Sequence, residues 1–465
     1  MNNINLIEKN FINRDKLYDL LSNKPPNEIE LNAILNKALN LKGISLNEVA
    51  KLLLIEKSEQ IKKIQQTAQV IKNKIYGKRL VLFAPLYLSN YCDNNCLYCA
   101  FRKENKIINR KILIDEEIKK ETEILLRQGH KRVLVLTGEY EATGIDYLVN
   151  SIKTIYSVKI DKNYIRRINV EVAPMEIDDF KKLKEVKIGT YICFQETYDE
   201  QNYKKYHLSG KKSDFLNRLF VMDKALSAGL NDIGIGVLFG LSDYRFEVLA
   251  LLEHCNHLEK KFGCGPHTIS VPRIEPARGA TLSYKPPYPV SDNDFKKIVA
   301  VLRLAVPYTG IILSTRESED LRNELFNYGV SQISAGSRTN PGAYSDKNSS
   351  YGAQFSLGDH RTLDEVISSV IDLNYIPSFC TSCYRKGRVG KDFMDLAKPG
   401  LIQKFCEPNG IITFYEYLLD FASKKTKEKG INLINELLNS MPLRKKEKIK
   451  NILNRLNNGE RDVFL

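Results

Sequence analysis

Three cysteines on one short loop are the residues of this chain whose types and spacing point most directly to chemistry. Cys92, Cys96 and Cys99 form a C-x3-C-x2-C spacing, and the aromatic Tyr98 stands just before the last of them. Three thiolates so close together suit a [4Fe–4S] cluster, which ordinarily takes four cysteines. The missing fourth ligand leaves one iron open to an exchangeable ligand. Zinc is the alternative, but zinc sites usually supply four ligands in two pairs, and no nearby His or Cys completes this set.

A second incomplete cysteine set lies near the end of the chain. Cys380, Cys383 and Cys406 form C-x2-C-x22-C, which again suggests a cluster with one iron that lacks a protein ligand. Zinc is an open alternative here, because C-x2-C pairs are common in zinc modules. The residues that would complete such a zinc site are a histidine, Cys193, Cys255 or Cys264.

Composition indicates a large protein of the cytoplasm. The chain has 465 residues, 43% of them apolar, which is ample for a large core and suggests two or three domains. Nothing approaches 18 consecutive apolar residues, and the N-terminus, Met1 to Lys9, lacks the apolar core of a signal peptide. Nine cysteines in a chain of this length are no disulfide framework, which fits a reducing compartment. We expect a cytoplasmic protein with no membrane partner.

The net charge of +14 raises the possibility of a nucleic-acid partner. The lysines, however, are scattered over amphipathic helices and interspersed with Glu and Asp. This pattern is typical of a solvated surface, so we expect no nucleic-acid partner.

Strand and helix patterns alternate through the middle of the chain. Residues from about 4 to 76 are helical in pattern, with a capping box from Ser45 to Glu48. Eight short apolar or β-branched runs then follow, separated by helical patterns: Arg79–Leu86, Arg132–Thr137, Arg167–Ala173, Gly189–Phe194, Asp232–Leu238, His267–Val271, Gly310–Ser314 and Ser331–Ala335. This alternation predicts an α/β fold, a parallel (β/α)8 TIM-type barrel, rather than an open doubly wound sheet.

The predicted barrel has a helical segment on each side in sequence. After about Arg361 the pattern is helical again and ends in a basic helix from Leu443 to Asn457. We therefore predict an N-terminal helical extension over 1–76, the barrel over 77–360 and a C-terminal helical domain with the second cysteine set over 361–465.

In a barrel of this kind, chemistry gathers where the strands end. The first strand runs into the cysteine loop, and polar groups follow four others: Thr137-Gly-Glu139, Gln195-Glu-Thr-Tyr198, Ser314-Thr-Arg316 and Ser334-Ala-Gly-Ser-Arg338. We expect these segments to line one mouth of the barrel.

His267 lies at the start of its predicted strand and so faces the opposite mouth. A lone histidine there is more often structural. A C-terminal domain with a cluster could, however, cap that mouth, and the imidazole could then bind an iron. His207 follows the fourth strand and is interpreted as a substrate-side or structural residue.

Several motifs together resemble one family over nearly the whole chain. They are Cys92-Asp-Asn-Asn-Cys-Leu-Tyr-Cys99, Phe194-Gln-Glu-Thr-Tyr198, Lys204-Lys-Tyr-His207, Gly234-Ile-Gly-Val-Leu-Phe-Gly240, Gly265-Pro-His-Thr-Ile-Ser-Val-Pro-Arg273, Ser334-Ala-Gly-Ser337, Cys380-Thr-Ser-Cys-Tyr-Arg385 and Phe405-Cys-Glu-Pro-Asn409. The chain resembles the radical S-adenosylmethionine (SAM) tyrosine lyases that mature [FeFe]-hydrogenase. Barrel motifs alone would also fit the tyrosine lyase of thiazole synthesis or the related tryptophan enzyme, which lack the C-terminal cysteine set.

The resemblance implies an enzyme with two ends. At the cluster of Cys92, Cys96 and Cys99, SAM would chelate the open iron and yield a 5′-deoxyadenosyl radical. L-tyrosine would be cleaved to p-cresol and dehydroglycine, and the glycyl fragment converted to carbon monoxide and cyanide. An auxiliary [4Fe–4S] cluster at Cys380, Cys383 and Cys406, with a fifth iron held by His267 and a free L-cysteine, would collect them.

The product of these two ends would be an iron–carbonyl–cyanide unit for assembly of the hydrogenase H-cluster. The expected partners are other hydrogenase maturases and a reductant protein.

Further site residues follow from the resemblance and from the strand ends. Glu139 resembles the acidic residue that receives the amino group of SAM, and Glu196 is expected to contact SAM or substrate. Either carboxylate could instead satisfy ribose or backbone groups. We expect Tyr98, beside the last cysteine of the loop, to contact the cofactor as well.

Arg316 is predicted to clamp the substrate carboxylate through two hydrogen bonds, with Ser334 or Ser337 assisting. The alternative is a structural ion pair between Arg316 and Glu317 or Glu319.

Three other functions stay open on the sequence. They are a tyrosine lyase for thiazole synthesis, a non-catalytic iron–sulfur scaffold and a nucleic-acid-modifying radical enzyme. A non-catalytic scaffold leaves the open-coordination motif and the polar strand ends unexplained. A nucleic-acid-modifying enzyme would need a clustered basic and aromatic surface, which the sequence does not show.

Overall fold

The computed structural model of this chain describes residues 9–346 and 350–465. The expectation that no signal peptide is present, and the part of the predicted helical extension over residues 4–8, lie outside the described residues. No helix in these two described stretches is long and apolar enough to cross a lipid bilayer.

The described residues contain eleven strands in two sheets. In chain order they are β1 (Arg79–Ser89), β2 (Arg132–Thr137), β3 (Lys159–Ile160), β4 (Asn163–Tyr164), β5 (Arg167–Glu171), β6 (Tyr191–Ile192), β7 (Ile233–Gly236), β8 (Thr268–Ser270), β9 (Gly310–Leu313), β10 (Val330–Ser334) and β11 (Ile376–Ser378). Only β3 and β4 stand apart among these, as a short antiparallel hairpin.

Eight parallel strands of the described chain close into a barrel. The order is β1-β2-β5-β6-β7-β8-β9-β10, and β10 pairs with β1 to complete the ring. All eleven residues of β1 are buried, which is typical of a parallel strand covered on both faces. The predicted (β/α)8 barrel is confirmed, and its strands fall within a few residues of the predicted positions.

Helices surround the barrel and continue beyond it. Over the described residues they are α1 (Arg14–Leu21), α2 (Glu28–Ala38), α3 (Leu46–Leu53), α4 (Ser58–Tyr76), α5 (Asp115–Arg127), α6 (Ile145–Ser157), α7 (Ile177–Glu185), α8 (Glu200–Tyr206), α9 (Phe215–Leu219), α10 (Val221–Ser227), α11 (Tyr244–Phe262), α12 (Asp292–Ala305), α13 (Glu319–Leu325), α14 (Leu363–Asp372), α15 (Ser382–Arg385), α16 (Gly390–Ala397), α17 (Gln403–Asp420), α18 (Lys424–Asn439) and α19 (Leu443–Asn457).

Local sequence explains where several of these helices begin. The capping box predicted from Ser45 to Glu48 opens α3: Glu48 N donates to Ser45 Oγ, and Ser45 N donates to the Glu48 carboxylate. Asn27 and Glu30 form the same reciprocal pair at the start of α2. Helix α4 then packs along α12 on the outside of the barrel, which ties the N-terminal helices to the core.

One strand was not predicted. The segment after Arg361 was expected to be helical, but Ile376–Ser378 forms β11, which pairs in parallel with Arg79–Val81 at the start of β1. A three-residue strand that contains a proline is too short to show the period-2 alternation on which strand prediction depends. Because β11 ends two residues before Cys380, it fixes the second cysteine set beneath the barrel.

Candidate active site

The first cysteine set lines a cavity at the mouth where the barrel strands end. Cys92, Cys96 and Cys99 line this cavity, whose empty volume, open solvent included, is about 670 Å³. Their loop follows β1 and is held by backbone hydrogen bonds. Asp93 N donates to the carbonyl of Glu139 (2.8 Å), and Leu97 N donates to that of Tyr206 (3.0 Å).

Two of the three thiols of this loop, those of Cys96 and Cys99, are poorly solvated. Burial raises the pKa of Cys96 to about 12, and burial together with the charge of Cys92 raises the pKa of Cys99. Buried neighbouring thiols resist ionisation because a thiolate loses its hydration there. A cation in the cavity would reverse that balance by stabilising the thiolates directly.

Glu139 lines the same cavity. Its carboxylate accepts a hydrogen bond from Asn94 Nδ2 at 2.6 Å, so it is fixed beside the cysteine loop. Gly138 is required next to it, because a Cβ at that position would lie 2.1 Å from the carbonyl oxygen of Tyr91 and 3.0 Å from Cys92 Cβ. The Thr-Gly-Glu segment at the end of β2 therefore packs directly against the cysteine loop.

Glu196 also lines this cavity, but its charge is already balanced. Lys212 Nζ lies 2.5 Å and Arg218 Nη2 3.5 Å from Glu196 Oε1. Burial alone would raise the pKa of Glu196, but the two cations outweigh it and hold that pKa below its usual value. Glu196 has a φ of +69°, a strained backbone that turns this side chain into the site.

Tyr98 does not line the cavity. Its hydroxyl lies 2.8 Å from His207 Nε2, and its ring packs in an apolar cluster with Tyr206 behind the cysteine loop. Burial lowers the pKa of His207 to about 3, so the ring is neutral; its Nδ1 donates to the carbonyl of Tyr203 at 2.8 Å. Of the two interpretations of His207, the geometry favours the structural one: it holds Tyr98, and with it the loop.

A second cavity adjoins the first inside the barrel. It has an empty volume of about 620 Å³, and Arg316 and Ser334 line it. Five residues line both cavities: Tyr87, Leu136, Glu171, Phe194 and Gln354. The two spaces are therefore neighbours, with mostly apolar walls on the Arg316 side.

Arg316 is free to bind a ligand. Its guanidinium carbon lies 3.3 Å from the centre of the Phe355 ring. The guanidinium group makes no hydrogen bond or ion pair with a described residue. Neither proposed alternative partner pairs with it: Glu317 binds Arg273, and Glu319 binds Arg361 at 3.0 Å. The alternative, a structural ion pair between Arg316 and Glu317 or Glu319, is therefore not seen among the described residues.

The two predicted serines differ. Ser334 lines the cavity, and its Oγ accepts a hydrogen bond from Thr315 N at 3.1 Å. Ser337 is 3% exposed, does not line the cavity, and its Oγ has no hydrogen-bond partner among the described residues. The geometry brings Ser334 and Arg316 together and leaves Ser337 outside.

Two residues of these cavities were missed by the sequence analysis. Glu171 ends β5, and burial together with the charge of Glu196 raises its pKa to about 7. The strand-end rule could have identified it. Gln354 accepts a hydrogen bond from the Tyr87 hydroxyl at 2.7 Å and lies 3.8 Å from Cys99 Sγ. It stands on a loop without regular structure, and no sequence signal marked it.

The second cysteine set lines a cavity at the opposite mouth of the barrel. We call this space the cysteine–histidine chamber; Cys380, Cys383, Cys406 and His267 line it around an empty volume of about 540 Å³. His267 N donates to the carbonyl of Ile233 at the start of β7, which places the imidazole where the strands begin. The predicted separation of His267 from the first cysteine loop is seen directly.

Cations surround the chamber. Arg79 and Arg132 line it, and the Nε atom of each is buried without a hydrogen-bond partner in the described part of the chain. Burial would lower the pKa of Arg79, but the nearby thiols of Cys406 and Cys380 outweigh it and raise that pKa. Burial raises the pKa of Cys406 to about 12. Two unused guanidinium donors favour an anionic group in this space.

The structure restricts which residue could complete a zinc site at the second cysteine set. Cys193 lines the first cavity, whereas Cys255 and Cys264 line neither cysteine cavity, so His267 is the one candidate that could complete a set there. Within residues 9–346 and 350–465, no three His, Cys, Asp or Glu side chains converge on a single metal-ion position. Ligands of a cubane bind different irons and do not converge on one point. The donor set at each mouth fits a cluster.

Comparison with known proteins identifies the class. The Radical SAM superfamily matches residues 86–253, and the Biotin and Thiamin Synthesis associated domain matches residues 270–376. The 2-iminoacetate synthase of Salmonella typhimurium is 32% identical over 340 residues, which cover 73% of this chain and 87% of that protein. The chain belongs to the radical SAM superfamily, whose members use SAM and a [4Fe–4S] cluster.

Two solved structures match almost the whole chain. HydG, a maturase of the [FeFe]-hydrogenase, is 47% identical with a TM-score of 0.94 and covers 98% of this chain and 100% of that one. HydG from Carboxydothermus hydrogenoformans is 41% identical with a TM-score of 0.82, over 95% and 97% of the two chains. This near-complete coverage includes the segment that carries the second cysteine set. The chain belongs to the HydG family, which confirms the resemblance inferred from its motifs.

Proposed function

We propose that this chain is a radical-SAM tyrosine lyase with a second metal site that makes an iron–carbonyl–cyanide unit for the [FeFe]-hydrogenase H-cluster. The observation that carries the proposal is the pair of separate cavities at opposite mouths of one barrel, each lined by three cysteines. One cavity adjoins a mostly apolar space with a free arginine, and the other is lined by His267. L-tyrosine is cleaved at the first to p-cresol and dehydroglycine, and carbon monoxide and cyanide formed from the glycyl fragment are collected at the second.

The cofactors of the first step belong beside the cysteine loop. Cys92, Cys96 and Cys99 would hold the cluster, and Glu139, fixed by Asn94, would receive the amino group of SAM. When bound, the cluster and SAM together supply a 5′-deoxyadenosyl radical. Glu196 lies in the same cavity next to Lys212 and Arg218, so any contact it makes with SAM or substrate is made by a carboxylate that two cations already bind.

The cavity with Arg316 suits an amino acid that has a large aromatic side chain. A free guanidinium can bind the substrate carboxylate through two parallel hydrogen bonds, with the Ser334 hydroxyl beside it. Glu171 lines both cavities and, once ionised, can accept hydrogen bonds from the substrate ammonium. Apolar walls that include Leu134 and Ile312 would hold the phenol ring. Such a grip fixes one pose, which a reactive radical requires.

Water must be kept from that radical. The Tyr87 hydroxyl and the Gln354 amide bond each other across the boundary between the two cavities. The Gln354 backbone N donates to the carbonyl of Thr339 at 2.9 Å, which ties the loop of residues 350–358 over the barrel mouth. Phe355 on the same loop covers Arg316. The substrate space is therefore walled by side chains of the protein itself.

The cysteine–histidine chamber suits the second step. Cys380, Cys383 and Cys406 would hold an auxiliary [4Fe–4S] cluster, and His267 with a free L-cysteine would hold a fifth iron. A cluster on three thiolates, together with cyanide and a carboxylate, brings several negative charges into a confined space. The buried Arg79 and Arg132 supply compensating positive charge there. Other hydrogenase maturases and a reductant protein are the proposed partners.

A tyrosine lyase of the thiazole-synthesis type is the second candidate. The 32% identity to a 2-iminoacetate synthase favours it, but that match leaves about a quarter of this chain uncovered. A lyase of the thiazole-synthesis type would also leave the cysteine–histidine chamber without a function.

One assay separates these candidates. Protein reconstituted anaerobically with iron and sulfide is incubated with SAM, a reductant and L-tyrosine, and p-cresol, carbon monoxide and cyanide are measured. All three products are expected. Formation of p-cresol without carbon monoxide would support the thiazole type, and cleavage of tryptophan with tyrosine ignored would contradict both candidates.

A further inference from the structure

A large surface cavity opens beside the cysteine–histidine chamber. Its empty volume is about 1810 Å³, and it lies near the starts of β5 and β7. We call it the basic vestibule and define it by six of its lining residues: Lys159, Lys184, Lys187, Arg167, Asp232 and Tyr384. None of the predicted site residues lines it.

The vestibule carries an excess of positive charge. Lys159, Lys184 and Lys187 are exposed, and none of them forms an ion pair with a described residue. Lys184 Nζ is directed into this region, since a Cβ on Gly229 would lie 2.6 Å from it. Concave surfaces lined by one sign of charge concentrate ligands of the opposite sign.

The other charged groups of the vestibule are already paired. Asp232 is its one lining carboxylate among the described residues and is 3% exposed; Arg167 Nη2 lies 3.2 Å from its Oδ2. The remaining lining cations, Arg166 and Arg385, pair with Asp462 at 3.1 Å and 2.5 Å. The three lysines therefore dominate the net charge that an incoming or outgoing ligand meets.

Tyr384 separates the vestibule from the chamber. It is the one described residue that lines both spaces. Its hydroxyl lies 3.2 Å from His267 Nε2, and its ring centre lies 3.0 Å from the guanidinium carbon of Arg167. His267 Nδ1 faces Asp232 at 3.3 Å, so Nε2 is the nitrogen left for a metal. A metal ion bound to Nε2 would displace the Tyr384 hydroxyl, and movement of that side chain would join the two spaces.

We propose that the basic vestibule binds the anionic iron–carbonyl–cyanide unit as it leaves the cysteine–histidine chamber, with Tyr384 as the movable wall between them. The inference rests on the proposed function, which places that unit at His267. An iron(II) unit that carries one cyanide and a thiolate amino acid is anionic, because the cyanide, the thiolate and the carboxylate together bring three negative charges against the two positive charges of the iron, and carbon monoxide brings none. Three unpaired lysines attract such an anion and repel a free iron cation.

Direct binding to the metal-free protein gives the first test. Hexacyanoferrate(II), an anionic iron–cyanide complex, is the probe, and binding is measured by equilibrium dialysis near 0.1 M salt. The wild type is expected to bind it, and the double variant Lys184→Glu/Lys187→Glu to bind it at least about tenfold more weakly. The control Lys119→Glu/Lys120→Glu makes the same change of charge on exposed lysines of α5 and is expected to bind like the wild type. Equal loss in the control, or no binding by the wild type, would overturn the proposal.

The path itself is tested by labelling Cys383. Iodoacetate and neutral iodoacetamide form the same bond to sulfur but differ in charge, so the ratio of their rates at Cys383, read by peptide mass spectrometry, reports the potential along the path. That ratio is expected to fall at least about threefold in Lys184→Glu/Lys187→Glu and to stay constant in the control. Iodoacetamide labelling serves as the internal check on folding. An unchanged ratio would mean that the path does not pass through the vestibule.

Tyr384 is tested with two variants. Tyr384→Ala removes the wall and is expected to speed labelling of Cys383 by both reagents, whereas Tyr384→Phe keeps the ring and is expected to speed it less. Equal rates in all three proteins would contradict its role.

Two further outcomes have distinct meanings. If L-cysteine binds the vestibule and hexacyanoferrate(II) does not, the site admits the amino acid, and the proposal of a product exit is wrong. If the wild type makes neither p-cresol nor carbon monoxide, the proposed function fails even where anion binding is observed.

Discussion

Arg273 binds the carboxylate of Glu317, with its Nε 3.1 Å from each of the two oxygens. Glu317 is 2% exposed, so this pair is largely removed from water. Because Arg273 takes the carboxylate that stands next to Arg316 in sequence, the guanidinium of Arg316 keeps its donors for a ligand. An unpaired arginine in a mostly apolar cavity is costly unless function uses it.

Replacing Arg316 with Lys should therefore impair tyrosine cleavage more than it impairs SAM binding. An ammonium group cannot reproduce two parallel hydrogen bonds to a carboxylate. Loss of one hydrogen bond to a charged group costs about 1.5–3 kcal/mol, so kcat/KM for tyrosine should fall about 10- to 150-fold. The measurement is the p-cresol yield as a function of tyrosine concentration.

Arg278→Lys is the matched control, because Arg278 is exposed and lines neither cavity at this mouth. Its kinetics should equal those of the wild type. If Arg316→Lys has the wild-type KM for tyrosine, Arg316 does not bind the substrate.

Glu171 should make tyrosine binding depend on pH near neutrality. Its pKa is raised to about 7 by burial and by the charge of Glu196, so Glu171 is mostly neutral at pH 6 and mostly ionised at pH 8. The tyrosine ammonium stays protonated over that range. The ionised carboxylate can hold this ammonium, so tyrosine affinity should rise with pH through about 7, and in Glu171→Gln it should be weak and nearly constant with pH.

Glu275→Gln provides the discriminating control for that experiment. The pKa of Glu275 is also raised to about 7, by burial and by Glu317, but Glu275 does not line the cavity. Binding titrations from pH 6 to 8 should show the wild-type profile in this variant. If the pH dependence of tyrosine binding disappears in Glu275→Gln and persists in Glu171→Gln, then Glu171 is not the group that titrates.

Much of the fold and the chemical positions of the site follow from local sequence. Parallel strands buried on both faces are continuous apolar runs, and the carboxyl ends of such strands meet at one mouth. The cysteine loop, Glu139 and Arg316 could therefore be placed at the same mouth, and His267 at the other.

Other parts depend on tertiary contacts that no local pattern encodes. Whether Arg316 is paired or free is decided by Arg273, which comes from the loop after a neighbouring strand. The short β11 is stabilised by pairing with the start of β1 rather than by its own propensity. Ser337 lies only three residues beyond Ser334, but the turn after β10 carries it out of the cavity.

The cluster at the first mouth can be tested against a cysteine that shares its cavity. Cys96→Ala should abolish SAM cleavage under reducing, anaerobic conditions, because two thiolates cannot retain the cluster. Cys193→Ala should retain it, since Cys193 lines the cavity but stands outside the loop. The measurements are 5′-deoxyadenosine formation and bound iron. Undiminished 5′-deoxyadenosine in Cys96→Ala would contradict the assignment.

Substitutions at the two mouths of the barrel should impair different reactions. Cys383→Ala should leave p-cresol formation largely intact and sharply lower carbon monoxide release, because Cys383 lines only the chamber at the far mouth. His267→Ala should keep the four-iron core, which the three thiolates hold, and lose the fifth iron, because the imidazole is the one protein side chain proposed to bind it. Iron counting and electron paramagnetic resonance distinguish these two losses.

The metal content of the cysteine–histidine chamber distinguishes an auxiliary iron–sulfur cluster from a zinc site. Cys380, Cys383, Cys406 and His267 together also form a Cys3His set, which zinc accepts. Protein reconstituted with iron and sulfide in the presence of zinc should contain iron at the chamber, and Cys264→Ala should match the wild type, because Cys264 does not line it. Stoichiometric zinc that disappears together with His267 would instead identify a structural zinc site. The chain would then be a tyrosine lyase with one catalytic mouth, and carbon monoxide release would not depend on Cys383.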